Sequence, residues 1–148
     1  MTNNSVSQRG FSLIELLIVV SVIAIIAAIA IPYLMAAKQA SNSASAIASL
    51  RVINQCEISY RATTGSYGTA TELATSGFLS DPDIPTGEKS RYQFSVTPDS
   101  ATPSLDYTAE AVPLDIPVTF WYHYFVNATG VIRKNQGARA TTTSPPID

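Results

Sequence analysis

The feature that most limits this chain is a run of 22 residues, Leu16–Ala37, without a single charge and broken in its apolar character only by Ser21 and Pro32. A helix needs about 20 such residues to cross a bilayer, so the run is long enough to span one. A buried core helix of the same composition needs a large soluble domain around it. About 85 residues follow the helical region, too few to wrap it. Glu15 stands at the head of the run. A carboxylate in hydrocarbon costs several kcal/mol unless it is paired, so this position demands a partner.

Three kinds of N-terminus are compatible with an early apolar run. A cleaved secretory signal has a basic start, a short apolar stretch and a small-residue site. Ala28–Ala30 offers that site and would release a soluble protein, such as an enzyme. However, the apolar run continues to Ala37, and Glu15 intrudes where the stretch begins. A lipoprotein signal needs a cysteine at the cut, and Cys56, the single cysteine, lies far downstream. A plain signal anchor, with Arg9 holding the N-terminus inside, gives a single-span protein carrying a small binding domain. It explains the run and leaves Glu15 without a reason.

The third kind takes Arg9-Gly10-Phe11-Ser12-Leu13-Ile14-Glu15 as one unit. It resembles the type III signal of type IV pilins and type II secretion pseudopilins: a short polar leader ending in Gly, then Phe, then Glu four residues on. The likeness runs through "RGFSLIELLIVVSVIAIIAAIAIP", about 24 residues, including the late proline. What it implies is cleavage after Gly10 by a prepilin peptidase, N-methylation of Phe11 by the same enzyme, and retention of the apolar helix. The implied partners are copies of itself or other pilins in a helical filament, and an assembly platform in the inner membrane. The implied location is a bacterial inner membrane, single-pass with the N-terminus cytoplasmic, and then an extracellular pilus or a periplasmic pseudopilus.

Cleavage at that junction supplies Glu15 with a partner. It creates a cationic amine on Phe11, at a helix end that already carries partial positive charge and unpaired N–H groups. Glu15, one turn along, can neutralise its own amine or a neighbour's. In a bundle of such helices, that pairing sets register. The bland alternative, a Glu reaching for lipid headgroups, accounts for the acid and not for the Gly-Phe junction.

The expected organisation is a leader over 1–10, a membrane and assembly half of one helix over 11–37, and its amphipathic half over 38–61. A globular part follows over 62–148. From Phe11 to Arg61 the helix would be about 75 Å long, far more than one bilayer. Pro32 removes a helix hydrogen bond and is the expected kink. Ala36, Ala40, Ala44, Ile47, Leu50 and Ile53 form a candidate packing stripe. A loop punctuated by Gly65, Gly68, Gly77, Pro82 and Pro85 follows, with one helical turn over Thr71–Ala74. Its Gly-x-Tyr-Gly and Gly-Phe-Leu fragments resemble the pilin loop between helix and sheet. Alternation in "RYQFSV", "DYTAEAV" and "TFWYHYFV", then "VIRK" after the turn "NATG", gives an antiparallel sheet of three to four strands. The fold class is α+β, a long helix covering that sheet. The tail "GARATTTSPPID" reads as an exposed arm.

Nothing else in the sequence gathers into a catalytic set, and neither a cofactor nor a metal site is expected. The net charge is −2, with Arg133 and Lys134 the only adjacent cations, so no specific nucleic-acid partner is expected. Cys56 cannot form an internal disulfide and reads as a buried apolar residue. His123, the single histidine, sits in the aromatic strand and reads as packing. Asp81, Asp83 and Glu88 are a solvated turn, since two prolines and one glycine do not make a calcium loop. The calcium loop of major pseudopilins is not carried over, because Asp148 is all that the C-terminal region offers. In the run Phe120–Phe125, alternation puts Phe120, Tyr122 and Tyr124 on one face and Trp121, His123 and Phe125 on the other. Major pseudopilins usually carry a Pro-Trp-Gly element where this chain has "DPDIPTGEKSRY", which favours a pilus subunit over a secretion pseudopilin. The C-terminal disulfide loop of many pilins is ruled out by the single cysteine.

Overall fold

The computed structural model describes residues 11–114 and 121–147. It divides into two compact units at Lys38/Gln39, and one helix, α1 (Leu13–Thr64), runs through that boundary. The first unit, up to Lys38, holds the apolar half of α1. The chain remains helical through Pro32. Ser21, the polar interruption, returns its hydroxyl to the Leu17 carbonyl at 2.7 Å, so the helix satisfies it internally.

The second unit begins with the polar half of α1. This half continues past the expected end at Arg61 to Thr64. The Thr63 and Thr64 hydroxyls bond back to the carbonyls of Ser59 and Tyr60, and Gly65 closes the helix at φ +86°. Its covered face shares Leu50, Ile53 and half-buried Ile47 with the expected stripe and departs from its first half. Ala46, Ser49, Leu50, Ile53, Cys56 and Glu57 are buried, whereas Ala36, Ala40 and Ala44 are exposed. Steps of four along 36, 40 and 44 drift around the helix, while steps of three and four from 46 hold one side. Polar residues on the true face hid the rest of it. Ser43 bonds the Tyr92 hydroxyl at 3.1 Å and Ser45 bonds Ser90 at 2.8 Å.

After α1 come α2 (Ala70–Thr75) and α3 (Asp83–Thr86). The start of α2 is fixed by a reciprocal cap between Thr69 and Glu72, the T-x-x-E signature of a helix start. Five strands follow: β1 (Glu88–Lys89), β2 (Tyr92–Pro98), β3 (Tyr107–Pro113), β4 (Tyr122–Asn127) and β5 (Arg133–Gln136). They form one antiparallel sheet in chain order, β1-β2-β3-β4-β5. The count exceeds the expected three to four because of β1, a two-residue strand that reverses into β2 at Ser90 and Arg91. Both turn residues have positive φ, 50° and 62°, the twist a two-residue hairpin demands.

The alternation in β2 and β3 holds: Tyr92, Phe94 and Val96 point inward beside Tyr107, Ala109 and Ala111. Across the sheet Ala111 sits between Phe94 and Tyr124, and Ala109 between Val96 and Val126. The middle strand therefore presents small side chains flanked by large ones. These inward residues and Leu50, Ile53, Leu73, Leu79 and Ile84 make one core. In the aromatic run, Trp121 precedes β4 and packs its ring on Tyr92 at 5.9 Å. It thus joins the side of Tyr124 rather than that of His123. Phe120 lies outside the described residues. The tail is largely exposed, as expected, but it is anchored. Lys134 donates its N–H to Pro145, Ile147 donates to Ile132, and Arg133 Nη1 reaches the Ser144 carbonyl at 2.8 Å, burying Ala140 and Ser144.

Candidate functional site

At the head of α1 the side chains from Phe11 to Met35 are almost all exposed; Phe11 is 79% exposed and Ile14 63%. The helix is long and apolar enough to cross a membrane, with a mean hydropathy of 3.0 over its best window and none of that window buried. An apolar face this large on a protein with a separate polar unit is a surface made to be covered, by lipid or by other protein.

Glu15 is the acidic residue in the first turn of that surface. Its Oε2 accepts the N–H of Ser12 at 2.9 Å, and the helix's first backbone bond runs from Leu16 N–H to Ser12 O at 3.2 Å. Ser12 is the residue before the helix and Glu15 the third within it, so Ser-x-x-Glu is one half of a capping box. The sequence carried that signature, but the sequence reading gave Glu15 only an amine partner. With Phe11 still in peptide linkage, the carboxylate caps its own helix through Oε2. The junction partner Gly10 lies outside the described residues. Pro32 lies within the exposed apolar half, about four turns before the first buried residue of the helix, Ala46.

The other sequence candidates fall into packing roles. Cys56 is buried, and its Sγ donates to the Phe78 carbonyl at 3.0 Å. Burial, and then the neighbouring Glu57, push the thiol up and away from a reactive thiolate. His123 is buried on β4 with neither ring nitrogen hydrogen-bonded. Burial, reinforced by Arg139, pulls its pKa down, which keeps the ring neutral. The acidic trio is dispersed: Asp81 pairs with Lys89, Asp83 opens α3, and Glu88 lies in β1 across from Gln93. Among the described residues no three His, Cys, Asp or Glu side chains gather around a common point. The aromatic rings pack on one another, with Tyr67 and Tyr107 4.8 Å apart.

One charged residue escaped the sequence reading. Glu57 is fully buried on α1, with Oε2 accepting the Gly68 N–H at 3.0 Å and Oε1 unpartnered. Burial dominates its behaviour and pushes the carboxyl up to about 7. The signal was its place on the line 46, 50, 53, 57, which a search for apolar residues alone passes over.

A long apolar N-terminal helix, whose polar half covers a small antiparallel meander, defines an α+β protein of pilin-like build. Residues 6–31 match the family model of the prokaryotic N-terminal methylation motif. Over 61 residues the chain is 41% identical to the type IV wide pilus major component PilA4 of Thermus thermophilus, a stretch that covers 41% of this chain. The match spans about half of that relative, 47% of its length. Together the motif and this relative support the type IV pilin family.

Proposed function

We propose that the chain is a structural subunit of a type IV pilus-like filament and does no chemistry of its own. It inserts in the inner membrane as a prepilin with its N-terminus in the cytoplasm. A prepilin peptidase cuts after Gly10 and methylates Phe11, and an inner-membrane assembly platform stacks the N-terminal helices of successive subunits. The observation that carries this reading is Glu15, the acid at the head of an exposed apolar helix inside the matched methylation motif. Before cleavage its Oε2 caps Ser12. After cleavage the carboxylate balances the amine of Phe11, on its own chain or the next. Pro32 is the point where the apolar half can bend to fit its neighbours.

The experiment is Glu15→Val. The change makes the span more apolar, so insertion should hold, and processing after Gly10 should persist. An unmatched buried amine costs roughly 3–5 kcal/mol, repeated for every subunit added, so filaments should be absent or scarce. The mass of the processed chain and the yield of filaments sheared from cells expressing only the variant are the readouts. Wild-type filament yield refutes the assembly role. Loss of protein secretion with no change in surface fibres, on deleting the chain, would move it to the secretion pseudopilins.

A further inference from the structure

Among the described residues Glu57 is the one fully buried acidic or basic side chain, and its surroundings are polar. The carboxyl has one hydrogen-bond donor, the Gly68 N–H, and an Oε1 with none. On α1, Cys56 precedes it and Arg61 follows one turn later. The Arg61 guanidinium is engaged elsewhere, donating to the Tyr67 hydroxyl at 3.2 Å and lying 5.1 Å over that ring. The α1–α2 connection contributes Tyr67 and Gly68. From α2 comes Glu72, a charge of the same sign. From β3 comes Tyr107, whose hydroxyl donates to Asn54 Oδ1 at 2.7 Å, with Asp106 beside it.

A carboxylate in that place has one N–H to offset removal from water. A hydrogen bond to a charged group contributes about 1.5–3 kcal/mol, less than the several kcal/mol that burial of an ion costs. The neutral acid avoids the penalty, and with its proton on Oε1 it still accepts the Gly68 N–H through Oε2. Once ionised, the group is relieved by water, and its cover is the short connection, residues 65–69, that joins α1 to α2. Between the closing turn of α1 and the Thr69–Glu72 cap, its backbone is tied down by Gly68 N–H to Glu57 and Tyr67 N–H to the Pro103 carbonyl at 2.9 Å, with the Tyr67 side chain anchored by Arg61 and the Tyr107 ring.

We infer that Glu57 is a proton-binding site that latches the α1–α2 connection onto α1: protonated, it holds residues 65–69 closed, and loss of the proton opens them. The device lies wholly within the polar unit and does not depend on the assembly reading. It makes the head of the subunit tightest in mild acid and looser above neutrality.

The test uses the full chain in detergent micelles. Amide exchange at Gly68, corrected for the intrinsic effect of pH, is compared at pH 5 and pH 8. If opening returns the carboxyl to its ordinary value, protection falls by several tens-fold across that interval. In Glu57→Gln, which keeps the shape and cannot ionise, protection should change less than twofold. A change below threefold in the wild type, or an equal fall in the variant, overturns the latch. If Glu57→Gln does not fold, the carboxyl carbon of Glu57 in the wild type decides. Titration near 7, shared by the Gly68 amide, supports the latch, and titration near 4.5 overturns it.

Discussion

Replacing Gly68 with alanine tests how closely the α1–α2 connection is fitted to α1. A Cβ at this position meets Tyr60 Cε1 at 2.8 Å, Cδ1 at 3.2 Å and Cζ at 3.3 Å. Carbon atoms rest at about 3.5–4.0 Å, so the ring or the connection must give way by about 0.7 Å. The ring is held edge-on against Phe78 at 5.8 Å, and both lie against the core. The connection is held by Glu57 and by Pro103. Gly68 does not have the left-handed φ of Gly65, so the steric clash is the whole effect. Overpacking of this kind costs typically 1–3 kcal/mol, and we expect about 2. At roughly 4 °C per kcal/mol for a unit of this size, Tm falls by about 8 °C. The assay is unfolding of the full chain in detergent, followed by Trp121 fluorescence. In a Tyr60→Leu background the ring is gone, and Gly68→Ala should cost less than about 0.5 kcal/mol. An equal loss in both backgrounds, or no loss in the wild type, refutes the fit.

Three further outcomes are expected. Glu57 holds its proton to about pH 7 when folded, against an ordinary value of 4.5. Its stabilisation is therefore complete below about pH 4.5 and lost as pH rises through 7. The loss is about 3 kcal/mol, read as the difference between wild type and Glu57→Gln in how the urea midpoint changes from pH 5 to pH 8, because His123, held below its ordinary value, acts in the opposite direction in both. Glu72, Asp81 and Asp99 have lowered values, so their contributions disappear only at more acidic pH and do not mask this window. Gly10→Leu should leave the leader attached, since a bulky residue beside the cut blocks the peptidase; normal processing on a gel counts against the signal. Removal of residues 1–38 should leave a soluble fragment with cooperative unfolding, because Gln39–Asp148 is a compact unit with its own core. A soluble fragment without a transition would show that the polar half of α1 cannot hold the sheet.

What could be read from the sequence divides along physical lines. The apolar run, Glu15 and the Gly10–Phe11 junction are local patterns, visible without any long-range packing. The strands β2 and β3 were visible because one face is core and the other solvent. The covered face of α1 was legible at Ile47, Leu50 and Ile53 and missed elsewhere because Ser43, Ser49 and Glu57 share it, and hydroxyls that find partners across the interface bury as well as methyl groups. Strand β1 has no periodicity at two residues, and its turn uses Ser90 and Arg91 where Gly or Asn would have announced it. The tail looked free because its anchors are backbone bonds to Ile132 and Lys134, which composition does not reveal. Glu15 as a helix cap was legible in Ser-x-x-Glu and was obscured by its other attraction.

The order of the strands in space is the order in which they are made. Every sheet contact joins neighbours in sequence, so each new strand finds its template already in place and no early edge waits for a late partner. The covering helix comes before all of them, which makes the long-range closures onto it, Ser43 to Tyr92, Ser45 to Ser90 and Asn54 to Tyr107, a docking onto a preformed rod. Loop closure is the slow, entropically costly step in assembling β structure, and short successive closures keep it small. Made available in chain order, the polar unit can thus fold strand by strand, with the segment around Pro146 sealing the outer strand through Arg133.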